Sequence, residues 1–185
     1  GLLRDQFLDL LEPYRDRLGP LIFEFTAIRS GPLAEPKQFV AALDRFFEQV
    51  PIERFELSVE VRNPEFLEYP GYLECLRDHR VAHCITSWTR MPPAAEQLRI
   101  PGVLTAPHIV ARFLLRPGRT YAQAVEQFAP YERVQDPYPE GRAALADVIR
   151  TALPDNRTCY TFVNNRFEGN TIETIETMLA ESGLL

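Results

Sequence analysis

No apolar run in this 185-residue chain approaches the roughly 20 residues that a membrane-spanning helix needs. No charged, apolar, small-residue signal segment opens it. Cysteine is scarce: Cys75, Cys84 and Cys159 are an odd number without C-x-x-C spacing. They read as reduced core or helix residues of a cytoplasmic protein, not as a disulfide framework, a redox pair or a metal cluster. His79, His83 and His108 form neither H-E-x-x-H nor H-x-x-E-H, and His83 shares parity with Val81 and Ile85. A packed strand histidine is expected there, and no metal site. G-x-S-x-G, the P-loop and the Rossmann fingerprint are all missing, which sets their reaction classes aside. An excess of positive charge is missing too. A net charge of −6 argues against a general nucleic-acid coat but leaves room for a local basic pocket. With no short-period repeat, low-complexity tract or linker, residues 1–185 read as a single domain with its own core.

What is present is an alternation of strand and helix. Leu3, Phe7, Leu10, Leu11 and Tyr14 recur at helical spacing over residues 2–17, and Gly19-Pro20 stops that helix. "LIFEF" then reads as a strand. Phe39, Val40, Leu43, Phe46 and Phe47 mark a second amphipathic helix over 36–49. "FELSVEV" is a strand, followed by a helix at 70–79, and "VAHCITS", "IVARFLL" and "TCYTFV" are three more strands. Helical patterns fall at 120–128, 139–152 and 171–182. Residues 92–107 form the longest irregular stretch, either a functional loop or a surface excursion packed by Ile100 and Leu104. Such alternation means βαβ units and a parallel sheet.

Parity within the strands decides the kind of sheet. Leu21, Phe23 and Phe25 are bulky and oppose Glu24; Leu57, Val59 and Val61 oppose Ser58 and Glu60. Ala82, Cys84 and Thr86 are small, and Arg112 stands opposite Ile109, Ala111 and Phe113. A doubly wound sheet carries helices on both faces and wants apolar residues on both. Here one face is greasy and the other small or charged, as the interior of a (β/α) barrel allows. The expected fold is therefore α/β of TIM-barrel type. Glu24, Glu60, Arg62 and Arg112 should be enclosed together, as a structural ion-pair network, as the floor of an active site, or as both. A complete barrel has eight βα units and about 250 residues, whereas five strands are visible here.

The segments "FLDLLEPYRDRLGPLIFEF", "VEVRNPEFL", "VARFLLRPG" and "YTFVNNRFEGNT" give the chain a likeness to a known family. In that order, and over essentially the whole chain, it resembles the YecE-like TIM barrels, domain of unknown function 72. The resemblance implies that the visible strands are the fourth to eighth of a barrel. Counting strands leaves two possibilities: about three βα units precede Gly1 in the natural protein, which is the expectation, or a chain limited to these residues leaves two sheet edges exposed. Where the family often has a histidine after the Glu-x-Arg of its fifth strand, this chain has Asn63. Where the seventh strand often reads Arg-x-His-Gly, Arg112 is followed by Phe113, Leu114 and Leu115; where an acidic residue follows the sixth, there is Ser87. Glu60, Arg62, Arg112 and the pair Asn164-Asn165 are retained, which marks a divergent branch. The family name supplies no reaction.

In such barrels the working face lies at the C-terminal ends of the strands. Those ends carry Thr26, Arg62, Asn63, Ser87, Trp88, Arg90, Arg116, Asn164, Asn165 and Arg166. Guanidinium groups suit carboxylate or phosphate, amides suit sugar hydroxyls or base edges, and Trp88 can stack on a ring or anchor a loop. In "NNRFEGNTIETIE", Gly169 permits close backbone approach, and Asn170 and Glu173 are spaced as a capping box. The helix start can hold an anion beside Arg116 and Arg119, or be ordinarily capped with those arginines in solvent. Glu24 and Glu60 on adjacent strands could meet the separation of about 5–5.5 Å that a retaining glycosidase needs. Arg62 and Arg112, however, would keep both ionised and leave no proton donor, which disfavours that chemistry. Catalysis is assigned to Glu60, Arg62, Arg112 and Glu24, and substrate binding to Asn63, Ser87, Trp88, Arg90, Arg116, Asn164, Asn165 and Arg166. Three classes stay open: an enzyme for a small anionic or sugar-containing substrate, a non-catalytic ligand-binding or regulatory barrel, and a protein acting on nucleic-acid ends. No cofactor is indicated.

Overall fold

A computed structural model describes residues 3–51 and 54–184. Five strands alternate with helices. They are β1 (Leu21–Phe25), β2 (Leu57–Val61), β3 (Ala82–Ser87), β4 (Ile109–Phe113) and β5 (Cys159–Val163). The helices are α1 (Asp9–Leu11), α2 (Pro36–Phe47), α3 (Pro64–Glu68), α4 (Pro70–Asp78), α5 (Ala94–Leu98), α6 (Tyr121–Phe128), α7 (Pro139–Ala152) and α8 (Thr171–Ser182). Several begin with proline, whose missing N–H costs nothing in a first turn. All neighbouring strands are parallel, in the sequential order β1-β2-β3-β4-β5. The sheet is open: β1 pairs with β2 and β5 with β4, and the two end strands do not pair with each other.

The greasy parity faces the helices. Phe23 meets Phe46 and Phe47 edge-on, Phe25 meets Phe39, and Phe39 stacks on Phe66 at 4.3 Å. Leu57, Val59 and Val61 join that cluster, while Ile85, Ile109, Ala111 and Phe113 pack with residues of α7 and α8. His83 follows the same parity, buried with its Nδ1 on the Tyr72 hydroxyl at 3.2 Å. The other face carries Ile22, Glu24, Ser58, Glu60, Ala82, Cys84, Thr86, Val110, Arg112 and Tyr160, and its apolar cluster of Ile22, Ala82, Cys84, Ala106, Val110 and Tyr160 includes no helix residue among those described. That face is concave. In a flat sheet β1 and β5 would lie about 19 Å apart, four spacings of about 4.8 Å. Yet a Cβ at Gly19, just before β1, would sit 3.5 Å from the Tyr160 ring of β5.

Three sequence expectations change. The first helix is not one regular helix: Arg4–Leu8 is π-helical, α1 is short, and Glu12–Arg17 is a 3-10 turn. Pro13 has no N–H to bond Asp9, so the ladder cannot continue in α form. Leu8, not the anticipated stripe, is the buried residue, and Phe7, Leu10 and Tyr14 stay exposed. Leu2, the expected helix start, lies outside the described residues. The third change is the stretch 92–107, which contains α5. Gln97 of α5 is fully buried and bonds both backbone groups of Thr86 (3.1 and 2.8 Å). Ile100 and Leu104 are partly buried against the core clusters, as the surface-excursion alternative has it. Among the described residues no helix is long and apolar enough to cross a membrane.

Candidate functional site

Glu24 and Glu60 are register partners on β1 and β2, both on the concave side, so their carboxylates stand side by side. Arg62 continues the same parity just past β2, and Arg112 comes from β4. Arg62 Nη2 lies 3.2 Å from Glu24 Oε1 and 2.9 Å from Glu60 Oε1. Arg112 Nη1 lies 2.6 Å from Glu24 Oε2 and also donates to Glu60 Oε2. Thr86 Oγ1 donates to Glu60 Oε1 at 2.7 Å. The four charges expected to meet do meet, in a doubly bridged square of two carboxylates and two guanidinium groups.

They are not equally enclosed. Glu60 has 0% exposure and Arg62 6%, whereas the Glu24 and Arg112 side chains keep 40% and 24%. The expectation of joint burial is therefore corrected for Glu24 and Arg112: the concave face is open above them. Burial raises the Glu24 carboxyl, but the Arg112 hydrogen bond and the charges of Arg62 and Arg112 outweigh it. Its pKa ends below the ordinary carboxylate value. Burial lowers Arg112, and its bonds to Glu24 and Glu60 more than reverse that. Beneath the square, burial first and then Glu60 push the Cys84 thiol well above its usual range. Arg62 lies 3.8 Å over the Trp88 ring. Its Nε and Nη1 are shut away from solvent and have no hydrogen-bond partner among the described residues.

Other predicted residues are engaged in local structure. Asn63 bonds both backbone groups of Ile28 (2.8 and 3.1 Å) and Glu65 Oε1 at 2.7 Å, tying down the loop after β1. Ser87 Oγ donates to Leu115 O at 2.7 Å. Asn164 Oδ1 accepts the Arg166 N–H at 3.0 Å, and Asn165 Oδ1 accepts the Thr171 N–H at 2.8 Å. Arg166 lies over the Tyr121 ring, and Arg90 is exposed. Arg116 stacks on Tyr138 and shares Asp136 with Arg119, beside a groove of about 610 Å³ that both arginines line. At the start of α8, Asn170 Oδ1 accepts the Glu173 N–H at 3.0 Å. The Glu173 carboxylate turns instead to Val134 N, so only half of the anticipated box forms. Gly169 (φ +120°) is required by backbone: a Cβ there would lie 2.6 Å from Arg133 O.

Residues 3–184 match the family described as "Protein of unknown function DUF72". The chain belongs to the DUF72 family. The YecE-like resemblance seen in its segments is this same family. The DUF72 chain is similar in structure to a DUF72 family protein from Thermotoga maritima, with TM-score 0.62 and 18% identity over 97% of this chain and 64% of that one. It is likewise similar to a DUF72 family protein from Enterococcus faecalis, with TM-score 0.66 and 16% identity over the same shares. At such identities the likeness carries the fold alone. The DUF72 chain spans 64% of the length of either structure. No curated protein matches it.

Two partners in this DUF72 site escaped sequence reasoning. Thr86 shares concave parity with Cys84, so its bond to Glu60 could have been read from period two. The other is the buried Arg142–Glu168 pair (3.0 Å), which also holds Tyr138 N and so seats the loop bearing Asp136. Its members are 26 residues apart on a helix and a loop, and no local pattern links them.

Proposed function

We infer that the concave face binds a small ligand bearing a carboxylate or phosphate, or a sugar, and that the protein is an enzyme acting on it. The observation carrying this is Arg62: a nine-tenths-buried guanidinium stacked on Trp88, with two N–H-bearing nitrogens unpartnered among the described residues. Buried donors left without acceptors are costly, and an oxygen-rich ligand against the Trp88 face relieves that cost. Glu24, ionised at neutral pH and open to solvent, is the group placed to act as a base or nucleophile. A paired acid is not provided by Glu24, which keeps glycosidase chemistry disfavoured. The five strands serve, in this reading, as the fourth to eighth of a TIM-type barrel.

Thermal-shift titration with phosphate, sulfate, neutral sugars and sugar phosphates tests the binding. Mass action requires a bound ligand to raise the melting temperature, by about 2.7 kcal/mol of stability at a hundredfold excess over Kd. Arg62→Lys should abolish that rise for the ligand that gives it. No rise with any of the four classes, or a rise that survives Arg62→Lys, refutes the reading. Single-turnover product formation then separates the enzyme from a non-catalytic barrel, and steep salt dependence with DNA or RNA would favour nucleic-acid ends.

A further inference from the structure

On the convex side, away from the concave cluster, α2 and α4 bring together three potential metal ligands. Asp44 comes from α2, Cys75 from α4, and His79 from the residue that caps α4. One ligand atom of each lies within 4.8 Å of the other two. Cys75 and His79 are one helical turn apart, so both side chains rise on the same face, toward Asp44 of the neighbouring helix. His79 Nε2 already points at Asp44 Oδ1, 2.7 Å away, and the ring rests 5.7 Å from the Phe47 ring. We propose that Asp44, Cys75 and His79 form a site for a divalent cation of the zinc class, clamping α2 to α4.

Thiolate, imidazole and carboxylate together select a borderline-soft ion, since magnesium and calcium prefer oxygen alone. Zinc bonds of about 2.0–2.3 Å place tetrahedral ligands somewhat closer than 4.8 Å and farther than a hydrogen bond. The site therefore forms by small rotations in which His79 and Asp44 part and Cys75 approaches. Asp44 keeps 52% of its side chain in solvent, which leaves the fourth position to water. A bound divalent ion favours the thiolate form that ligation requires.

The experiment uses the chain treated with chelator and then titrated with Zn²⁺ by calorimetry and with Co²⁺ by absorbance. One ion per chain is expected, with a thiolate-to-cobalt charge-transfer band and a melting temperature that rises with Zn²⁺. Cys75→Ser should remove the band and weaken Zn²⁺ binding at least about tenfold. Asp44→Asn, at an exposed position that does not threaten folding, should weaken it comparably, while Cys159→Ser should change neither. The proposal is overturned if the folded wild-type chain takes up no stoichiometric Zn²⁺. It is equally overturned if binding survives unchanged in Asp44→Asn and Cys75→Ser.

Discussion

Replacing Glu60 by glutamine removes one negative charge from the centre of the square and leaves the shape almost unchanged. In the wild type the fully buried Glu60 accepts from Arg62, Arg112 and Thr86. In the variant Arg62, itself 6% exposed, keeps Glu24 as its remaining carboxylate at 3.2 Å. Breaking a buried pair by removing one partner costs about 3–5 kcal/mol, because the other charge is stranded out of water. Glu24 and solvent at Arg112 soften that loss, so Glu60→Gln should cost about 3 kcal/mol. For a chain of this size that is a fall of about 6–12 °C in melting temperature. Urea unfolding measures it, with the midpoint moving and the slope constant. Glu24→Gln is the internal control: its side chain is 40% exposed, and a screened pair is worth about 1 kcal/mol or less. In a double-mutant cycle, Glu60→Gln with Arg112→Met should show coupling of about 1–3 kcal/mol. Equal effects of the two glutamine variants, or no coupling, would refute the claim that the concave cluster is a desolvated ion-pair network.

Two further outcomes follow from other parts of the molecule. Burial holds His83 near pKa 4, and the unfolded value is 6.5. The unfolded chain therefore takes up a proton first, so stability is full above pH 6.5 and lost as pH falls toward 4, by about 3 kcal/mol. The urea midpoint should drop across that window and His83→Gln should flatten the drop; an unaltered pH profile in the variant would count against it. The outer edges of β1 and β5, unpaired among the described residues, present free backbone groups that invite strand addition. Light scattering should then show association growing with concentration, and a strictly monomeric chain at high concentration would contradict the open edges.

Much of the architecture was legible because it follows from short-range rules. Period two in "LSVEV" and "VARF" separates a helix-facing set from a concave set whatever lies around them. Glycine and proline mark boundaries through their own backbone limits, so α7 and α8 begin and end where the sequence says. The meeting of Glu24, Glu60, Arg62 and Arg112 was readable too, since equal parity on curled strands points all four inward. The uses of the strand-end amides were less legible. Asn63 and Asn165 look like free binding groups in sequence, but they are spent on Ile28 and on Thr171. A backbone donor left over by a loop claims the nearest acceptor, and loop geometry is not periodic.

By itself, then, the sequence determined the elements, their parallel order and the charged face, because propensity, periodicity and parity act between neighbours along the chain; the DUF72 resemblance came from whole segments of its sequence. Tertiary structure alone decided that Glu60 is sealed while Glu24 stays open, that Phe7, Leu10 and Tyr14 face water, and that Asp44 meets Cys75 and His79. Those outcomes depend on sheet curvature and on which helix lies beside which. Both are set by packing among residues tens of positions apart, where no local rule reaches.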